Sequence, residues 1–103
     1  MLLSKGYSAG DIVSFKLVNG DEIVAKIAEV TSTGWKISRP CTVIPSAQGM
    51  ALMQSLFSTE LNTDIELRAD HVMMHSESAK QVQDYYLTTT TGIQTVSKGS
   101  IVA

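Results

Sequence analysis

The sequence predicts a mainly β domain: a small, strongly bent antiparallel sheet of five strands closed into a barrel, followed by one helix. Three observations predict it. Alternating apolar and polar residues flank Asn19-Gly20, which is the pattern of a hairpin. The run Met50–Phe57 is apolar on both parities, which a small open sheet with one wet face cannot bury. Helical spacing begins only after Ser78, so all the strands precede the helix. At 103 residues the chain holds one domain, and 44% hydrophobic against 17% charged residues suits a packed core rather than disorder.

Val13, Phe15 and Leu17 alternate with Ser14 and Lys16, the period of a half-buried strand. Asn19-Gly20 supplies the residues that tolerate the positive φ of a two-residue type I′ turn. Ile23, Ala25 and Ile27 form the return strand. Val30–Gly34 reads as the next turn, and Trp35 and Ile37 begin a third strand that continues through Val43 and Ile44. Pro40 lacks a backbone donor, so this strand must bend, bulge or keep a free edge there. After a turn at Ser46–Gly49, Met50, Leu52 and Leu56 share one face of the fourth strand, and Ala51, Met53 and Phe57 the other. Ser58–Asp64 is a polar loop. Ile65 and Leu67 then share one parity and Val72 and Met74 the opposite one, a change of phase across Arg68–His71 that a bulge or tight bend produces. Ser78-Ala79-Lys80-Gln81 fits a capping box, and Ala79, Val82 and Tyr86 recur at helical spacing. The β-branched Thr88–Thr91 weaken that helix and Gly92 can cap it. The expected limits are a barrel over about residues 11–75, a helix over about 79–89 and a flexible tail over about 93–103.

A net charge of −2 and a pI near 5.5 exclude a domain that coats nucleic acid by bulk charge. Cys41 is the sole cysteine, so no internal disulfide forms, and its apolar setting predicts a buried thiol. No apolar run approaches the roughly 20 residues of a membrane helix, and the N-terminal apolar run is too short for a signal peptide. The expectation is a cytoplasmic protein with no membrane partner. P-loop, G-x-S-x-G and H-E-x-x-H motifs are absent, so a non-enzyme without cofactor is expected. His71 and His75 form H-x-x-x-H, but on a strand these positions lie far apart and no third ligand accompanies them, so no metal site is expected.

Two stretches resemble the paired motifs of Sm-like proteins. Val13-x-Phe15-x-Leu17-Val18-Asn19-Gly20 with Ala25-x-Ile27 is similar to the first, and Leu67-Arg68-Ala69-Asp70-His71-Val72 to the second, with Arg-Ala in place of Arg-Gly. More narrowly, the chain is similar to small Sm-like proteins carried by tailed phages of marine bacteria. The resemblance implies a five-stranded barrel whose copies join edge to edge in a homo-oligomeric ring, fourth strand to fifth, and bind single-stranded RNA or DNA around the pore or on a face. It makes Met50, Leu52, Met53, Phe57, Val72, Met73 and Met74 the expected interface. Family members carry an Asp and an Asn near the pore where this chain has Thr31 and Trp35, and their helix precedes the first strand.

The candidate nucleic-acid residues are therefore Trp35, Lys36, Arg39, Arg68 and His71. Trp35 is either a stacking platform for a base or a plug in the barrel. Lys36 and Arg39 are candidates for phosphate contact. Arg68 either contacts a phosphate or base or pairs with Asp70 or Glu66 across the ring interface, and His71 is a hydrogen-bonding group of the pore or interface. The rival expectation is a structural or adaptor ring, in a phage particle or host-takeover complex, that binds no nucleic acid.

Overall fold

The computed structural model describes residues 6–47, 49–56, 58–60 and 62–92. The expectations for Phe57 and for residues 93–103 lie outside the described residues. The chain is mainly β, with one antiparallel sheet and one C-terminal helix. Its strands are β1 (Ile12–Leu17), β2 (Glu22–Thr31), β3 (Gly34–Ser46), β4 (Gly49–Gln54), β5 (Asp64–Arg68) and β6 (Val72–Glu77), and its helix is α1 (Lys80–Leu87). The sheet runs β4-β3-β2-β1-β6, with β5 also paired to β3. Six strands thus stand where five were expected, and among the described residues the sheet is not closed. The extra strand arises at the change of phase seen in the sequence: a 3₁₀ turn, Ala69–His71, separates β5 from β6. Among the described residues no helix is long and apolar enough to cross a membrane.

The first hairpin forms as expected, but its turn differs. Gly20 N–H donates to Leu17 O at 2.9 Å and Leu17 N–H to Asp21 O at 2.8 Å, so the loop has three residues, Val18–Gly20. Only Gly20 takes a positive φ there, 99°. This is a three-residue loop closed by a left-handed glycine, one residue longer than a type I′ turn. Asn19 contributes through its side chain, whose Oδ1 accepts the Asp21 N–H at 2.9 Å.

β3 is the long spine. Lys26 pairs with Ser38 and Val24 with Cys41, so β3 advances three residues while β2 advances two. The extra residue is a bulge at Arg39-Pro40, the place where a missing backbone donor is tolerated. Arg39 takes φ +50°, a conformation that costs a non-glycine residue energy. At the same place β3 exchanges neighbours: up to Ser38 its outer partner is β5, and from Cys41 it is β4.

Alternation along β1–β3 then builds a core on each face. Val13, Phe15, Ile23, Ala25, Ile27, Trp35 and Ile37 fill the inner face. Ile12, Val24 and Cys41 occupy the outer face and are covered by Tyr86 and Val82 of α1. Burial pushes the Cys41 thiol up to about 11. Tyr86 is 0% exposed, and its hydroxyl donates to the carbonyls of Ser38 and Arg39, both at 3.0 Å. The helix therefore docks on the bulge itself.

The helix start departs from the capping-box expectation. Ala79 is the N-cap and makes no side-chain cap bond. Ser78 Oγ instead lies 2.7 Å from Ser14 Oγ, and Gln83 Nε2 donates to Ser78 O at 2.8 Å. A partner on β1 has taken the hydroxyl that a cap would use. Beyond Leu87 the threonines loosen the helix into a π turn, Thr88–Gly92.

Tyr86→Phe keeps the ring and removes the hydroxyl from two part-buried carbonyls. It should destabilise the fold by about 1–3 kcal/mol in urea denaturation, with the slope of the transition unchanged.

Candidate functional site

Glycine at position 34 lets two loops meet. A Cβ there would overlap the Leu67 carbonyl oxygen and approach Ala69 N to 2.9 Å. Without it, the Thr31–Gly34 turn lies against the 3₁₀ turn, and Ala69 N–H donates to Thr33 O at 2.8 Å. Gly34 pairs with Arg68 and Lys36 with Glu66, so Arg68, Glu66 and Lys36 share the outer face, opposite to Trp35 and Leu67.

The 3₁₀ turn carries a compact charge cluster. Arg68 makes a bidentate pair with Asp70: Nε to Oδ1 at 3.1 Å and NH2 to Oδ2 at 2.8 Å. His71 Nε2 lies 3.8 Å from Asp70 Oδ1. All three side chains are exposed. The hydrogen bond from Arg68 holds the Asp70 carboxyl below its ordinary 3.8 and, in return, raises the guanidinium. Of the two sequence alternatives for an Arg68 ion pair, Asp70 of the same chain is the partner here.

The other candidates are not gathered at this turn. Trp35 is 9% exposed and packs in the inner core, its ring centroid 5.0 Å from that of Phe15. Lys36 faces Glu29 across the β2–β3 pairing at 3.9 Å. Arg39 points from the bulge toward the chain's own groups: NH1 donates to Thr90 O at 3.3 Å and NH2 to Asn62 Oδ1 at 2.7 Å. It ties β3 to the segment after α1 and to the β4–β5 loop.

The expected interface residues divide. Met50, Leu52 and Val72 are half-buried. Met53 is 47% exposed, Met73 59% and Met74 62%. They lie on β4 and β6, the two ends of the sheet path.

Sequence reasoning missed a contact that the fold creates between the N-terminal segment and β6. Tyr7 Oη lies 2.7 Å from His75 Nδ1. His75 pairs with Phe15 in the sheet register, and its ring centroid is 5.0 Å from that of Trp35. Sequence alternation groups Val72 with Met74 and sets His75 on the other face; the register shift between Lys16 and Leu17 brings His75 opposite Phe15, and Tyr7, 68 residues away, gave no signal.

No protein-family model matches the chain, and no curated protein matches it in sequence.

The Arg68–Asp70 pair predicts a definite pH dependence. A lowered carboxyl contributes stability above its unfolded value and loses it as pH falls through the folded one. The pair should therefore be intact at neutral pH and open only below about pH 4. In a carboxyl-carbon NMR titration Asp70 should titrate below 3.8, and Arg68→Ala should return it toward that value.

Proposed function

We propose that this chain is a non-catalytic, ring-forming Sm-like protein that binds single-stranded RNA or DNA. The observation that carries the reading is the order of the sheet. β4 and β6 are edge strands at opposite ends of one path, and both present exposed methionines. An uncovered strand edge with apolar side chains is an aggregation hazard unless another strand pairs with it. Pairing β4 of one copy with β6 of the next satisfies both edges and repeats head to tail, which closes into a ring. Counting β4 and β5 as one strand interrupted by the loop between them gives the five strands of the Sm-like barrel, with the 3₁₀ turn between the last two.

In such a ring each copy contributes one Thr31–Gly34 turn and one Arg68–His71 turn at the same place. Repeated arginines around an axis concentrate positive potential although each chain is acidic overall. Arg68 and His71 are then the groups that contact the strand, and Trp35 supports their loops from the core.

A specific observation favours the rival reading of a structural or adaptor ring. Arg68 and Lys36 each face a carboxylate of the same chain, at 2.8 and 3.9 Å, which lowers the charge available to phosphate. The two readings share the assembly and differ in what Arg68 does.

Light scattering on a sizing column should give one closed multimer whose mass is the same at low and high salt. Replacing Met73 and Met74 together by Glu should reduce it to monomer, because two carboxylates then have to be buried at the edge. A wild-type monomer at both salts overturns the ring.

Fluorescence anisotropy with short oligouridine and oligothymidine at low salt separates the readings. Arg68→Ala should weaken binding roughly tenfold, the loss of one charge-assisted hydrogen bond. Asp70→Asn should tighten it by freeing the guanidinium. Binding no tighter than that of an acidic control protein leaves the adaptor ring.

A further inference from the structure

A cleft of about 640 Å³ opens between the N-terminal segment and β6, and the nucleic-acid reading does not use it. Its rings are Tyr7, Trp35 and His75, and its charged groups are Asp11 and Glu77. Trp35, being nearly buried, forms the base, and the more open Tyr7 and His75 form the sides.

The rings do not stack on one another. Trp35 and His75 meet at 66° with centroids 5.0 Å apart, and Tyr7 and His75 at 73° with centroids 5.6 Å apart. Both are edge-to-face arrangements. Rings set this steeply make walls around a space rather than a pile. The contact between Tyr7 Oη and His75 Nδ1 holds the N-terminal segment in that arrangement.

The charge is one-sided. Among the described residues lining the cleft there is no lysine or arginine. The faces of aromatic rings carry negative electrostatic potential, and two carboxylates add to it. Both carboxylates act on this space, since the Tyr7 hydroxyl is raised first by burial and then by Glu77 and Asp11. A phosphate is repelled here. An organic cation gains from the rings and the carboxylates together, and its apolar substituents are matched by Val30 and the ring surfaces.

We infer that this cleft binds a small alkylammonium cation. Tyr7 and Trp35 supply the ring contacts, and Asp11 and Glu77 balance the charge. The lining residues all belong to one chain, and three of them lie on β6, the strand proposed above to pair between copies.

Trp35 is the only tryptophan, so its emission reports the cleft directly. The full chain is titrated with tetramethylammonium chloride, with sodium chloride at equal ionic strength, and with neopentyl alcohol as an uncharged match in shape. A saturable change with tetramethylammonium alone is expected. Asp11→Asn with Glu77→Gln should raise the half-saturating concentration at least about fivefold. Glu77→Gln alone, at an exposed edge position, should shift it in the same direction if the double variant does not fold. An equal response to the alcohol, a linear response indistinguishable from sodium chloride, or unchanged affinity in the folded variants overturns the assignment. So does a saturable response to uridine monophosphate in place of the cation.

Discussion

The rest of the fold depends on the break in β3 at Arg39-Pro40. Proline cannot donate to the ladder, and one extra residue on β3 pushes the chain out of register with β2. The carbonyls of Ser38 and Arg39 left there both accept from the Tyr86 hydroxyl. Three consequences share this point. β3 exchanges β5 for β4 as its outer neighbour, the sheet bends, and α1 gains an anchor. An unpartnered carbonyl at a buried bulge would cost about as much as the hydroxyl contributes, so strand and helix stabilise one another's irregularity.

The bend also decides what each face of the sheet becomes. The outer face is closed by α1, with Tyr86 and Val82 over Ile12, Val24 and Cys41. The inner face is filled by Phe15, Trp35 and Ile37, and among the described residues no helix packs in that cluster. Toward β6 it ends in the rings of Trp35 and His75, which meet edge to face with centroids 5.0 Å apart. Trp35 thus serves the core and the base of a cleft at once. A plug and a platform are different uses of the same ring, and the position of the inner face next to an edge strand permits both.

The periodicity of the sequence was enough to read the hairpin, the long third strand with its break at Pro40, and the position of the helix. Where reading failed, the competing alternatives differed only in tertiary contacts. Asn19-Gly20 suits a two-residue or a three-residue loop, and the choice rests on whether Leu17 N–H finds Asp21 O. Ser78 fits a capping box, but Ser14 on β1 lies within reach of its hydroxyl. The phase change across Arg68–His71 was visible, yet only the structure makes it a 3₁₀ turn between two strands. Arg39 looked like a surface cation. Its positive φ redirects the side chain toward Thr90 and Asn62, which no local pattern announces. The Arg68–Asp70 pair lay within sequence reach because the residues are two apart, whereas the Tyr7–His75 contact joins the two ends of the sheet-forming chain.

The charges of this protein are distributed so that one polarity cannot be read from composition. Arg68 and Lys36 sit on the outer face with carboxylates beside them, and the described residues lining the inner cleft include carboxylates and rings but no lysine or arginine. An exposed ion pair is weak because water screens it. In the proposed ring, a polyanion that brought several phosphates to several copies of Arg68 would compete with Asp70 on favourable terms, since each copy would give up little. The same argument does not extend to the cleft, where Asp11 accepts the Ser8 N–H at 2.9 Å and neither Asp11 nor Glu77 has a lysine or arginine beside it among the described lining residues. The proposed nucleic-acid contact and the proposed cation site would therefore use opposite faces of the same sheet, and Trp35 lies on the inner one.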